Sequence, residues 1–399
     1  MAVAVAVALV AAVVVLVAGA PAEVAAAASA APRVERDVPN ARAPRAQAAS
    51  GRVAWQGGPV LHSTRTHVIF WQPPGLAFDS GYITLVERFL ANVAAASHST
   101  TNVFGLTGQY RDRGGLAAYA SQFEGAVVDS DALPGNGCHE PQTAPPWSVC
   151  LTDEQLQGEI ERVVAGDRLP HGRADVYFLV LPNGFGTCLD ASSSSCALGG
   201  HKNGYCGYHL VTPNGIPYAV IPYNAIAGHC QSSNPRPNHS AADPSISTLA
   251  HEDTETITDP FGNGWTSGDG DEIADLCLSN FGRRLGGGAG AEWNESIAGG
   301  RYWLQELWSD AAGRCAARAA RVRVSVTGPR RVRVGQRASF SARGSAPGRR
   351  IVAWLWSPLG SRRARASHVW RRAGRYRVAV RVTDSWGNWG FGARVVRVS

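Results

Sequence analysis

Apolar positions along the chain change period several times, and the changes mark its elements. THVIFWQP, Thr66 to Pro73, is β-branched and aromatic and ends in a proline pair, which predicts a strand. In YITLVERFLANVAAAS, Tyr82 to Ser97, residues Ile83, Val86, Phe89, Leu90 and Val93 recur at helical spacing. EQLQGEIERVVAG, Glu154 to Gly166, predicts a second amphipathic helix. DVYFLVLP, Asp175 to Pro182, is an apolar run bounded by turn residues, as in a buried strand, and YAVIPY, Tyr218 to Tyr223, is a shorter one. Strands alternating with helices predict an α/β or α+β body that starts near Val53, with strand order left open. Asn183 to Cys230 is rich in Gly, Ser, Asn and Cys and is expected to be a stapled, loop-rich region rather than a hydrophobic layer.

The last eighty or so residues alternate differently. RVRVSVTG, RASFSARG, IVAWLWS, SHVWRR, YRVAVRVTD and ARVVRVS are short runs of period two separated by turns, which predicts a β-sandwich. Trp354 and Trp356 in one strand, His368 and Trp370, and AGRYRVAVRVTDSWG from Ala373 to Gly387 make this segment similar to the polycystic kidney disease (PKD) type of immunoglobulin-like domain. Ser357-Pro358-Leu359-Gly360 stands where that family carries a Gly-Asp-Gly loop, so no acidic ion site is expected there. The resemblance implies a spacer or adhesion module.

Composition adds a compartment. MAVAVAVALVAAVVVLVAGAPA carries no charge and is followed by Ala28-Ser29-Ala30, the pattern of an export signal with its cleavage site. An uncleaved N-terminal anchor is the alternative, because the run is nearly long enough to span a bilayer. No later segment has the length of a membrane span, and none is expected after cleavage. Residues 31–52, rich in Ala, Arg and Pro, read as a disordered linker. Eight cysteines without C-x-x-C spacing favour disulfides over metal ligation, with Cys138–Cys150 and Cys277–Cys315 as the expected pairs. Domains are therefore expected at 1–30 (signal), 31–52 (linker), 53–315 (body) and 316–399 (sandwich).

Charge separates the two folded parts. Residues 316–399 hold twenty arginines against one acid, Asp384, while the rest of the chain holds eighteen basic and thirty acidic residues. A cationic module suits an anionic surface or acidic polysaccharide; no specific nucleic acid is expected. Lys202 is the only lysine, so arginine also serves as the ordinary solvated residue of this chain.

One motif carries candidate chemistry. STLAHEDTETITDP, Ser247 to Pro260, places His251 and Glu255 one helical turn apart, and Asp243-Pro244 and Asp259-Pro260 bracket the helix. Both side chains are normal zinc ligands, and Glu252 stands where H-E-x-x-H peptidases keep their general base. Glu272, in GWTSGDGDEIADLC, is the candidate third ligand, and Asp275 is similar to the aspartate that orients the first histidine in gluzincins. Glutamate at 255 in place of a second histidine hardens the site, so zinc, calcium or manganese are all compatible. The opposing reading is a solvated acidic helix face with His251 bonded locally. His201, His209 and His229 are further candidates for a ligand or substrate contact. Asn238 and Asn294 head glycosylation sequons. G-x-S-x-G, P-loop and dinucleotide fingerprints are absent.

HSTRTHVIFWQP, GYCGYH, YAVIPY and STLAHEDTETITDP, followed by GW and EIADLC, make the body similar to the phosphate-induced, EXORDIUM-like family of exported proteins over about Gly57 to Cys315. That resemblance implies a secreted or cell-surface protein with a zincin-like core bearing His251, Glu252, Glu255, Glu272, Asp275 and Cys277. Two functions follow as expectations. One is metal-dependent hydrolysis of a peptide, with His251, Glu255 and Glu272 on the ion and Glu252 as base. The other is a non-catalytic wall-associated or adhesion protein that binds polysaccharide. The first requires the three ligands to meet at a point open to solvent.

Overall fold

A computed structural model describes residues 33–36, 53–139, 147–197, 204–226, 230, 232–319, 321–346, 349–385 and 389–399. The expected signal, most of the expected linker, and His201 and His229 lie outside the described residues.

The body is a mixed six-stranded sheet with helices on both faces. Its elements are β1 (Arg33–Arg36), β2 (Thr64–Trp71), α1 (Tyr82–Ala95), β3 (Ser121–Asp129), α2 (Asp153–Gly166), β4 (Asp175–Val180), β5 (Tyr205–Val211), β6 (Pro217–Ile221) and α3 (Ala242–Thr258). Spatial order is β1-β5-β6-β4-β2-β3. The β3-β2, β2-β4 and β4-β6 pairs are parallel, while β5 and β1 run antiparallel to their neighbours. Parallel neighbours need long crossovers, which α1 and α2 supply.

Both faces are covered over the central strands β2, β4 and β6, which therefore read as largely continuous apolar runs. Val68, Phe70, Phe178 and Ile221 pack with Phe89 and Leu90 of α1 and Ile246, Leu249 and Ile257 of α3. Ile69, Trp71, Tyr177, Leu179 and Val220 point the other way, to Leu156, Ile160 and Val163 of α2. Each such side chain contributes about 1.5–3 kcal/mol by leaving water. Thr152 and Gln155 form a capping box that starts α2. Asp153 then accepts the hydroxyls of Tyr208 and Tyr218, both at 2.6 Å, which ties α2 to β5 and β6.

Two expectations change. The region from Asn183 to Cys230 is not only loop, because YCGYHLV is β5 and its Tyr205, Cys206 and Tyr208 join the hydrophobic core. Its Gly and Cys have tertiary reasons: a Cβ at Gly207 would lie 2.5 Å from Thr248 Cγ2, so glycine lets α3 approach β5, and Cys206 bonds Cys230. Within the expected linker, Arg33–Arg36 form an edge strand on β5. Edge pairing uses main-chain groups and demands no apolar period.

All eight cysteines are paired: Cys138–Cys150, Cys188–Cys196, Cys206–Cys230 and Cys277–Cys315. Two of these are the expected bridges.

A separate core begins at Val322. Its strands are β7 (Arg323–Thr327), β8 (Arg331–Val332), β9 (Arg337–Ser345), β10 (Ile351–Ser357), β11 (Arg365–Val369), β12 (Gly374–Asp384) and β13 (Trp389–Val398). They form two sheets, β7-β9-β11 and β8-β13-β12-β10. Phe340, Trp356, Trp370, Val378, Val380 and Val382 fill the space between them. From Arg377 to Asp384 the buried residues of β12 alternate with exposed or half-buried ones, the signature of a sheet covered on one face.

Candidate metal centre

Helix α3 is unusual for its polarity: all seventeen of its residues are buried. Asp243 accepts the backbone N–H groups of Asn238 and Ser240, both at 3.1 Å, which fixes the helix entry. Thr254, Thr256 and Thr258 return their hydroxyls to helix carbonyls, so these polar side chains enter the interior satisfied. At the exit, Gly264 N–H donates to Asp259 Oδ1 at 2.6 Å. Asn224, after β6, donates to Thr248 Oγ1 and to the Cys206 carbonyl and so pins α3 to β5. A solvated acidic face is therefore excluded.

The expected ligands fall into two groups that share Glu255, with Glu272 grouped with His209 and not with His251. His251 Nε2 lies 3.0 Å from Glu255 Oε2. His209 Nε2, from β5, lies 3.0 Å from Glu272 Oε2 and 4.0 Å from Glu255 Oε2. The donors of His209, Glu255 and Glu272 all fall within 4.8 Å of one another, and so do those of His251, Glu252 and Glu255. Zinc bonds of about 2.0–2.2 Å in a tetrahedron set donors roughly 3.4 Å apart, so the spacing within each group is compatible with an ion.

Glu255 has two separate tasks. Its Oε1 accepts the N–H groups of Ala274 and Asp275 at 2.9 and 3.0 Å, at the start of a short turn, Asp275–Cys277. That leaves Oε2 facing the imidazoles. The Cys277–Cys315 bridge and a 2.6 Å hydrogen bond from Gln305 Nε2 to the Ala274 carbonyl hold the turn.

Asp275 differs from its expected role. Its Oδ1 lies 3.5 Å from His251 Nε2, the same nitrogen that faces Glu255, whereas an orienting carboxylate would bond Nδ1. Its Oδ2 accepts the Glu272 N–H at 3.2 Å and so shapes the segment that carries Glu272.

The point of convergence is closed. His209, His251, Glu252, Glu255 and Glu272 are each at most 4% exposed, which departs from the solvent-open geometry that hydrolysis requires. Burial lowers the His209 pKa, against the charge of Glu255, and so favours a neutral imidazole. Burial raises that of Glu255, against His251. Burial also acts upward on Asp275, but the hydrogen bond and charge of His251 outweigh it and hold the carboxyl below its ordinary value.

Sequence reasoning ranked His209 with two other loop histidines. The signal that distinguishes it is its strand: His209 alternates with Gly207 on the face of β5 toward α3. Two further buried acids lay outside the motif reading. Asp253 and Glu295 have no hydrogen bond to their carboxyl oxygens among the described residues, and burial pushes them up to about 7 and about 8. The sequon at Asn294 is buried, its amide donating to the carbonyls of Phe281 and Leu304. The sulfurs of Cys138, Cys150 and Cys188 also cluster, but all are in disulfides.

The fold and centre define a disulfide-bonded α/β protein with a buried imidazole–carboxylate cluster and a C-terminal β-sandwich. The chain is similar to Protein EXORDIUM-like 3 of Arabidopsis thaliana, 31% identical over 125 residues that make up 28% of this chain and 34% of the relative. It thus spans about a third of the length of the curated relative it matches. No family model matches. Solved structures similar to one fifth of the chain include the PKD1 domain of Vibrio anguillarum Epp, at 21% identity over 96% of that domain with a TM-score of 0.18. The PKD1 domain of Vibrio cholerae metalloprotease PrtV is 24% identical over 98% of its length, with a TM-score of 0.17. A carbohydrate-binding module of the β-sandwich superfamily is 16% identical over 35% of that chain, with a TM-score of 0.19. Four disulfides fit an oxidising, extracellular compartment, and no described helix is long and apolar enough to cross a membrane.

Proposed function

We propose that this is an exported metalloprotein whose body, residues 53–315, is built round one divalent cation held by His209, His251, Glu255 and Glu272. Its support is a pair of donor groups that share Glu255, His209–Glu255–Glu272 and His251–Glu252–Glu255, contributed by β5, α3 and the 272 segment in a volume closed to solvent. Two nitrogen donors favour zinc over calcium or manganese. Bound there, the ion would neutralise the two carboxylates and act as a Lewis acid toward any oxygen placed beside it. The chain's own part is to present His209 as a neutral imidazole and to aim Glu255 through the N–H groups of Ala274 and Asp275. With all four donors on the ion the shell would be a complete tetrahedron, which favours a structural centre in a wall-associated protein over a catalytic one.

Metal-dependent peptide hydrolysis is the second reading. Glu252 favours it, since its donor shares a group with those of His251 and Glu255, within reach of the place where a general base works. It requires His209 to release its position.

Elemental analysis of the purified full chain tests both. One zinc per chain, lost in His209→Ala and His251→Ala and kept in Glu252→Gln, supports the centre; metal-free protein from metal-replete medium overturns it. Hydrolysis of general peptide substrates by the wild type, abolished in Glu252→Gln, would move the centre to the catalytic class.

A further inference from the structure

Outside the metal centre, the exposed chemistry of the molecule concentrates on the outer face of the sheet β8-β13-β12-β10. Across three neighbouring strands, Leu355, Arg381 and Phe391 stand in one row, and Ala353, Thr383 and Trp389 in the next. Val378, Val380 and Val382 point to the core, so the alternate residues Arg381 and Thr383 point outward. Leu355 and Phe391 are 42% and 63% exposed and flank Arg381 in that row. Trp389 and Phe391 pair edge to face at 4.9 Å.

This face borders a cleft. A cavity of about 370 Å³ is lined by Arg381, Thr383 and Trp389 from the sandwich and by Ser99, Thr100 and Tyr119, among others, from the body. That volume is within the usual range, roughly 300–1,000 Å³, of sites for small ligands and sugar units. Trp389 Nε1 donates to the His98 carbonyl at 3.0 Å, which fixes the indole before any ligand arrives.

The geometry points to a binding cleft for a uronic-acid polysaccharide at this junction, with Trp389 in the cleft and Phe391 on the face beside it as platforms for sugar rings and Arg381 as the carboxylate receptor. The C–H faces of sugar rings match aromatic faces, and the hydroxyls of Ser99, Thr100 and Thr383 match sugar hydroxyls. A guanidinium grips a carboxylate with two parallel hydrogen bonds. The surroundings have the required sign. Eighteen of the twenty arginines from 316 onward are exposed, while the one acid there, Asp384, is buried against Arg349. A nucleic acid would meet similar groups, but four disulfides place the chain where polysaccharide is the common polyanion. A membrane would need a convex face rather than a cleft. The inference stands apart from the metal centre.

Calorimetry of the full chain with oligogalacturonate tests it, with carboxyl-reduced oligosaccharide and single-stranded DNA of equal charge as comparison ligands. Arg381→Glu should weaken oligogalacturonate binding by about tenfold or more, and Phe391→Ala severalfold. Arg343→Glu, an equal charge change on the other sheet, should leave most of it. Reduction of the carboxyls should abolish binding. The inference is overturned if Arg343→Glu and Arg381→Glu weaken binding equally, if the DNA binds as well as the sugar, or if no oligogalacturonate binds.

Discussion

The body and the sandwich handle charge in opposite ways. The body buries its acids: Glu252, Asp253, Glu255, Asp259, Glu272 and Glu295 are each at most 2% exposed. The sandwich exposes its bases and buries its one acid against Arg349. Net charge along the sequence therefore conceals two different things. Buried carboxylates beside two imidazoles call for an internal cation, since isolated charges in a low dielectric are costly. Exposed arginines carry little of that cost and remain available to an external anion.

The contrast can be broken most forcefully at the metal. If the body holds the proposed cation, a chelator should lower its unfolding temperature by about 10 °C or more, because ligand binding free energy would then be folding free energy. The sandwich transition should hardly move. Differential scanning calorimetry on the full chain checks this, and an unchanged body transition would equate the two regions. Next in size, Asp384→Asn strands the Arg349 guanidinium inside the sandwich and should cost about 3–5 kcal/mol in chemical denaturation.

Glu295 gives a pH-dependent test. Its folded pKa, about 8, is above the unfolded value, so the folded state binds the proton more tightly. Stability attributable to this group is therefore highest at low pH and falls as pH rises through the unfolded pKa, levelling off near 8. Glu295→Gln should match the wild type near pH 4 and exceed it by a margin that widens up to pH 8, read as denaturation midpoints across that range. The smallest effect belongs to the exposed bases: Arg343→Ala should change stability by less than about 0.5 kcal/mol. A loss there as large as that of Asp384→Asn would erase the distinction between the regions.

Much of this molecule is legible in its sequence. The strand at 64–71, helices α1 and α2, the strand at 175–180 and the alternating C-terminal runs all follow from local period, because a helix or strand exposes its pattern to its own neighbours in the chain. The bracket of α3, with Asp243 at its start and Asp259 at its end, is local too, and the Cys138–Cys150 bridge closes a short loop. His251 and Glu255 lie four residues apart on one helix, so their shared face was fixed by helical geometry alone.

What lay beyond the sequence depended on contacts between distant segments. His209 and Glu272 are 63 residues apart, and their 3.0 Å approach exists only because β5 lies beside β6 in the sheet and Gly207 admits α3. Whether Glu252 and Asp253 face water or the interior has no local signature, since a carboxylate on a helix looks the same in either setting until the sheet and neighbouring layers cover it. Local spacing, set by covalent geometry and hydrogen bonding within a few residues, was determined by the sequence itself. Convergence and burial were decided by the tertiary structure, because they depend on which surfaces the fold brings together.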